Sequence, residues 1–350
     1  MPSVRRGALC YNPPEPPSPV RVRARLNPVN RIAQPATDAD IIAALERRLP
    51  AAFLERRLAR ERGHDRAVYR PLHRFFHVDG PLSLHACVRL ALRLSLMYGR
   101  GRGNAARIAV RENVVRLAHL PEAFEGFTLL QLTDLHADAN PGALDTLQRL
   151  LPTLRYDHCV LTGDFRALSF GPVEAALAGM ARLAPLLKPP VHGVLGNHDS
   201  IRMLPALEAM GIPLLMNEAV TLERGGARIH LAGIDDAHYF QTHDLAAVRA
   251  QIPAGEVAIL LSHTPEAYAE GAAAGFDLML SGHTHGGQIC LPGGVPVILQ
   301  TKGMPRRYGS GPWRHGGLTG FTSRGAGTSM VHVRFNCPAE VVLHRLTRKT

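Results

Sequence analysis

The sequence predicts an α/β fold whose strands end in turns rich in metal-binding side chains. Two observations predict it. Short apolar runs recur along the chain, each closing on an Asp or a His inside a turn, and helical stretches separate the first three of them. Apolar runs of this length bounded by turns read as buried strands. Alternation with helices makes the sheet largely parallel, and ligands of such a sheet gather beyond the carboxyl ends of its strands.

Residues 1–37 contain Pro13-Pro14-Glu15-Pro16-Pro17 and little apolar periodicity, and read as a disordered Pro/Arg-rich segment. Met1 to Leu9 carries an arginine pair with no apolar stretch after it, unlike a secretory or twin-arginine signal. Thr37 or Asp38 caps a helix running through Ile41, Ile42, Ala44, Leu45 and Leu49. Leu82 to Met97 reads as a further helix, apolar except for Ser83, His85, Arg89, Arg93 and Ser95. The four-residue spacing of His85, Arg89 and Arg93 gathers them into one stripe. This helix is too short and too charged to span a bilayer, which needs about 20 apolar residues. It packs on the following domain with the stripe in water, or it lies in a membrane surface with its arginines at lipid phosphates. Residues 38–106 thus form a basic helical extension, and 107–350 the main domain.

In the main domain, Leu129 to Thr133 runs into Asp134 and His136, and His158 to Thr162 into Gly163 and Asp164. Val191 to Leu195 leads to Gly196-Asn197-His198-Asp199, and Val257 to Leu261 to Ser262-His263. Phe276 to Leu280 leads to Ser281-Gly282-His283-Thr284-His285-Gly286-Gly287-Gln288. Arg228 to Ile234 is a further strand ending at Asp235 and Asp236, read first as a turn and second as a substrate-side pair. Val297 to Leu299, Leu318 to Thr322, Val331 to Phe335 and Val341 to Leu346 make the second half richer in strands. Gly293-Gly294 and Gly316-Gly317 lack the strand-then-helix setting of a phosphate loop and read as turns. His119, His158, His192, His230, His238 and His243 fit no metal spacing and read as surface or core residues.

The clusters assemble Asp134, His136, Asp164, Asn197, His263, His283 and His285, with His198 beside them. Two carboxylates, an amide oxygen and four imidazoles exceed the four to six donors of one ion and suit two. Mixed O and N donors without thiolate favour Mn, Fe, Zn or Co. A carboxylate can bridge ions roughly 3.5 to 4 Å apart, the spacing of two-metal phosphoryl chemistry, and Asp164 is the candidate bridge.

At these residues the sequence resembles the calcineurin-like metallophosphoesterases. The ordered signature D-x-H, G-D, G-N-H-D, an isolated His and G-H-x-H stands here as Asp134-Leu135-His136, Gly163-Asp164, Gly196-Asn197-His198-Asp199, His263 and Gly282-His283-Thr284-His285. The resemblance covers roughly Arg107 to the C-terminus. It implies a four-layer α-β-β-α sandwich of two mixed sheets with a dinuclear metal site at the loop edge. It also implies one ion on Asp134, His136, Asp164 and His285, a second on Asp164, Asn197, His263 and His283, attack on phosphorus by a hydroxide held between them, and His198 assisting the leaving oxygen. Gly282 to Gln288, with the tail from Ser323-Arg324-Gly325 through Arg334-Phe335-Asn336 to Glu340, looks like a bacterial branch. That branch includes membrane-associated phosphodiesterases and UDP-2,3-diacylglucosamine pyrophosphatases. Ala137 departs from the glycine common after D-x-H. Arg166 stands near where other branches carry a second Asp, which makes the phosphoprotein-phosphatase version of the site a poorer match.

Charge and cysteine content place the partners. Residues 1–106 hold 19 Arg and no Lys against 8 Asp plus Glu, whereas the remaining 244 residues balance 21 basic with 21 acidic side chains. The net +11 therefore sits wholly in the extension, which suits an anionic membrane surface or, second, nucleic acid. Five scattered cysteines without a C-x-x-C pair read as reduced thiols of a cytoplasmic protein, peripheral on the inner membrane if the extension binds lipid. The leading expectation is a metal-dependent hydrolase of a phosphodiester or pyrophosphate, on a lipid-linked or nucleotide-sugar substrate resembling UDP-2,3-diacylglucosamine. A nuclease or cyclic-nucleotide phosphodiesterase is the alternative, although the extension lacks the clustered aromatics that stack single-stranded bases. A binding scaffold on a phosphoesterase fold is the non-enzyme alternative.

Overall fold

Side-chain alternation along the strands decides the layers. Residues 21–23, 37–68, 84–299, 301 and 303–349 are described in the computed structural model of the chain; most of the segment expected to be disordered, and residues 69–83, lie outside them. Along the chain come β1 (Arg21–Arg23), α1 (Asp38–Arg48), α2 (Ala51–Val68), α3 (Leu84–Leu94), α4 (Tyr98–Ala105), β2 (Ile108–Leu117) and β3 (Thr128–Leu132). They are followed by α5 (Pro141–Leu150), β4 (His158–Leu161), α6 (Glu174–Leu183), β5 (Val191–Gly193), α7 (Leu204–Ala209), β6 (Glu218–Arg224) and β7 (Ala227–Gly233). The remainder are α8 (Leu245–Arg249), β8 (Ala258–Leu261), α9 (Tyr268–Ala273), β9 (Leu278–Ser281), β10 (Cys290–Leu291), β11 (Val295–Pro296), β12 (Gly311–His315), β13 (Leu318–Thr322) and β14 (Ala339–Arg348).

Two mixed sheets result, one in the order β2-β14-β3-β4-β5 and one in the order β1-β6-β7-β8-β9-β13-β12. Strands β3, β4 and β5 are parallel, as are β7, β8, β9 and β13. Leu129, Val160, Ile259, Leu261, Leu278 and Leu280 meet in one core between the sheets. Their neighbours in sequence point outward: Leu130, Leu132 and Leu161 pack under α1, α2, α5, α6 and α7, and Ala258, Leu260 and Met279 under α8 and the loops around α9. The central parallel strands β3, β4, β8 and β9 are thus buried on both faces, the reason each reads as a largely apolar run. The architecture is the expected α-β-β-α sandwich.

Thr37 caps α1 in a capping box with Asp40. Leu45, Leu49, Phe53 and Leu54 bury themselves in the outer core of the five-stranded sheet, so the first two helices of the basic extension are a packed layer of the sandwich. The helix expected over 82–97 is α3, and it ends at Leu94 because Leu96 takes φ 59°. Two expected strands are absent. Residues 297–299 follow a hairpin whose strand is Val295–Pro296, and 331–335 is irregular because Met330 and His332 adopt left-handed φ of 54° and 53°. Gly293 and Gly294 form the turn of the β10–β11 hairpin, and Gly316 that of β12–β13.

Candidate metal centre

All seven candidate donors lie just past the carboxyl ends of β3, β4, β5, β8 and β9, and the structure brings them together. Nε2 of His285 is 3.4 Å from Asp134 Oδ1, and Nε2 of His136 is 3.1 Å from Nε2 of His285. Asp134, His136 and His285 form one group with convergent donor atoms; Asp164, His263 and His283 form a second. Asn197 joins the second group, its Oδ1 lying 3.0 Å from His263 Nε2 and 2.7 Å from His283 Nδ1. Asp164 stands between the groups: its Oδ2 is 3.2 Å from His263 Nε2 and 3.9 Å from both His136 Nε2 and His198 Nε2.

The backbone is shaped to this arrangement. Asp134, His136, Asp164, His283 and His285 all take positive φ, a conformation that costs non-glycine residues on the order of 1–3 kcal/mol. Small neighbours give the carboxylates room: a Cβ on Gly282 would collide with Thr133 Oγ1 and Asp134 Oδ2, and one on Gly196 with Asp164 Oδ1. Asp199 ties the loops together, accepting from the backbone N–H of Asp164 at 2.8 Å, Phe165 at 2.9 Å, Arg166 at 3.1 Å and Gly196 at 2.9 Å. Arg334 is buried and donates to the carbonyls of Arg324 at 2.7 Å and Gly327 at 2.7 Å, behind His285.

Burial and mutual charge set the protonation of the bare site. Burial pushes Asp134 up to about 7. Burial also opposes ionisation of Asp164, but the charges of His263 and His198 outweigh it and hold the carboxyl well below its ordinary range. Conversely, burial disfavours a charged His263, yet Asp164 raises it to about 10. A proton stands where Asp164 requires a cation. Burial lowers His136 to about 4 and carries His283 and His285 well below 6.5, so these rings are neutral and offer lone pairs.

The donor set fits divalent metal. Two carboxylates, one amide oxygen and four imidazoles, without thiolate, are ligands of intermediate hardness. The buried Nε2 of His283 has no hydrogen-bond partner. A cation on Nδ1 would move the ring proton to Nε2, and His238 and Glu266 each bring a donor atom within 4.8 Å of a nitrogen of this ring.

His198 lies at the edge of the cluster, with Nδ1 3.1 Å from Ser169 Oγ and its backbone carbonyl 2.8 Å from Arg166 Nε. Burial lowers its pKa, so the ring is neutral near pH 7. Asp235 and Asp236 prove to be structural. Asp235 accepts from Arg57 Nε at 2.9 Å, and Asp236 caps a turn through the N–H groups of His238 at 3.0 Å and Phe240 at 2.8 Å. Of the histidines assigned to surface or core, His158 and His192 are buried and paired at 2.9 Å. His238 instead lies against the site, its ring centroid 4.4 Å from that of His283. No spacing in the sequence singles out His238, Ser169 or Arg334, whereas Asp199 stands inside the Gly196-Asn197-His198-Asp199 motif.

Comparison with known proteins agrees with this geometry. Residues 127–287 match the calcineurin-like phosphoesterase family. The chain is 29% identical over 227 residues to the uncharacterized metallophosphoesterase YkoQ of Bacillus subtilis, covering 62% of this chain and 83% of that one. It is 28% identical to YkuE of the same organism, covering 72% and 92%, and 28% identical to the phosphodiesterase YaeI of Escherichia coli, covering 66% and 86%. Among solved structures, the NAD nucleotidase of Haemophilus influenzae aligns at 15% identity and TM-score 0.39 over 57% of this chain and 45% of that one, so this chain spans less than half of it. Residues 127–287 are a calcineurin-like phosphoesterase domain, the catalytic part of a metal-dependent hydrolase of phosphoesters.

Proposed function

We propose that the chain hydrolyses a phosphodiester or pyrophosphate with two divalent ions, one on Asp134, His136, Asp164 and His285 and one on Asp164, Asn197, His263 and His283. The observation that carries this reading is the anchoring of two imidazoles. Nδ1 of His136 lies 2.7 Å from Arg166 O, and Nδ1 of His263 lies 2.7 Å from Thr162 O. A carbonyl only accepts, so both Nδ1 atoms carry protons, and each ring when neutral turns an Nε2 lone pair toward Asp164. Lone pairs aimed at a carboxylate repel unless a cation lies among them. Bound divalent ions neutralise phosphoryl oxygens and acidify water to a nucleophile near neutral pH. Ser169 Oγ lies 3.1 Å from His198 Nδ1, and the opposite nitrogen, Nε2, faces Asp164 at 3.9 Å, the edge from which a ring proton would pass to the leaving oxygen.

The substrate we favour is lipid-linked or a nucleotide-sugar, of the kind represented by UDP-2,3-diacylglucosamine, met at the cytoplasmic face of the inner membrane. An apolar rim supports it. Just after His285, the β10–β11 hairpin exposes Leu291, Val295, Val297 and Ile298, each more than half accessible. The end of α3 exposes Leu90, Leu94 and Leu96 beside Arg89 and Arg93. Both patches touch the 330–336 segment, through Arg89 to Met330 O at 3.2 Å and Cys290 N to Phe335 O at 2.9 Å. Among the described residues no helix is long and apolar enough to cross a membrane, and a rim of this composition suits peripheral contact with anionic lipid.

The test is a panel of monoester, diester, pyrophosphate and nucleotide-sugar substrates after reconstitution with Mn, Fe, Zn or Co, together with sedimentation on phosphatidylglycerol vesicles. Diester or pyrophosphate turnover should exceed monoester turnover. L94E and I298E together should cut vesicle binding at least about tenfold, because each buries a charge at the interface. A preference for monoesters, or vesicle binding untouched by the two changes, would overturn the respective part.

A further inference from the structure

We propose that the cavity of about 430 Å³ between α1, α2 and the loops after β4 and β5 is the subsite for the leaving substituent of the substrate, and that it takes an uncharged, hydroxyl-bearing group of nucleoside or monosaccharide size. The proposal rests on the phosphodiester half of the reading above and decides within it: a pyrophosphate such as UDP-2,3-diacylglucosamine would release a phosphate-bearing group, which this cavity disfavours, so the bond cleaved is that of a phosphodiester. Its place in the fold comes from two residues shared with His198. Arg166 and Ser169 line the cavity, and they contact His198 at 2.8 and 3.1 Å. A phosphoester seated at the metal cluster therefore extends past His198 into this space. The volume falls within the range typical of small-molecule sites, roughly 300–1,000 Å³.

The opposite wall comes from the N-terminal helices through Asp38, Ile41 and Glu61, and it is fixed in place. Glu61 accepts from Ser200 Oγ at 2.9 Å and from the Ile201 N–H at 2.6 Å. Arg57, fully buried, joins Glu61 at 2.6 Å and Asp235 at 2.9 Å. These contacts attach α2 to the loop that carries His198, so the basic extension contributes a wall to the site.

Charge selects the occupant. Asp38, Glu61 and Glu174 face Arg166 and Arg202 in the lining, three carboxylates against two guanidinium groups. The excess of negative charge disfavours a second phosphate. An acyl chain would strip water from five ionic groups and return no hydrogen bonds. Arg57 already covers one face of the Phe240 ring at 3.4 Å, and the guanidinium groups of Arg166 and Arg202 in the lining repel an ammonium group. Hydroxyl groups both donate and accept, so they satisfy carboxylate and guanidinium alike. The polar part of the substrate thus lies on the α1–α2 side of the metals, and the apolar hairpin lies beyond His285.

The experiment compares methyl phosphodiesters whose second alcohol is thymidine through its 5′ oxygen, choline or ethanol, with the released alcohol measured by chromatography on metal-reconstituted full-length protein. The thymidine ester should show the highest kcat/KM. I41W, which fills the cavity, and R202A, on the half-exposed side of the lining, should each lower the thymidine-to-ethanol ratio about tenfold. Thymidine alone should raise the Tm of the unaltered protein and not that of I41W. A ratio unchanged in both variants, or a preference for the choline ester, overturns the subsite. Failure to cleave even bis(p-nitrophenyl) phosphate would instead overturn the phosphodiesterase reading and the subsite with it.

Discussion

Asp134, His136, Asp164, His283 and His285 hold φ between 40° and 71°, so the ligand-bearing residues are also the strained ones. A strand that turns this sharply at its end throws its side chain back over the sheet edge, which is how the donors after β3, β4 and β9 converge with Asn197 and His263. The motifs that make the turns were legible: Asp134-Leu135-His136, Gly163-Asp164 and Gly282-His283-Thr284-His285 place a short polar residue or glycine at each bend. Ser169 and Arg334 were not legible, because each acts through a contact set only by tertiary packing. His198→Ala should lower kcat by about 100- to 10,000-fold while bound metal per chain stays as in the unaltered protein. Metal loss in the same variant, measured by elemental analysis, would make His198 a ligand instead.

Helix α2 shows where sequence reading falls short at the level of elements. The sequence reads as a basic helical extension over 38–106, with the apolar spacing of Ile41, Leu45 and Leu49 in its first helix, and leaves α2 without a reading of its own. Arg57 nevertheless has no exposure, and its partner Asp235 lies 178 positions away on the loop after β7. No local pattern announces such a pair. Burial pushes Asp235 up in pKa, so the carboxylate depends on the guanidinium to stay ionised. Arg57→Met should destabilise the fold by about 3–5 kcal/mol, since it leaves a buried carboxylate unpaired. Adding Asp235→Leu should recover part of that loss in chemical denaturation. A double variant no more stable than R57M would contradict the pairing.

Across the whole molecule, the central strands buried on both faces were readable as apolar runs, as were β13 and β14, whereas β1, β2, β6 and β12 were not. In β2, polar residues alternate with half-exposed ones such as Val110 and Val114, so the strand carries no apolar run to detect. The four-layer arrangement came from the family resemblance, since strand alternation gives two faces but does not say how many sheets share them. Buried histidines in these layers link stability to pH. Burial holds His192 near 4, His344 near 3 and His158 well below 6.5. The unfolded chain binds protons at these positions from about pH 6.5 downward and the folded chain does not. These three groups should therefore leave stability level between about pH 8 and 7 and lower it below about 6.5 by up to about 1.4 kcal/mol per pH unit each. A Tm that rises on acidification through this range would contradict it.

The central claim is that Asp164 joins two metal sites. The direct measurement is the number of ions per chain by native mass spectrometry, on the protein reconstituted with Mn, Fe, Zn or Co. The unaltered protein should hold two ions, His136→Ala or His263→Ala one, and Asp164→Asn none, with at least about 100-fold lower hydrolysis. A single ion in the unaltered protein, or two ions kept by Asp164→Asn, would contradict it.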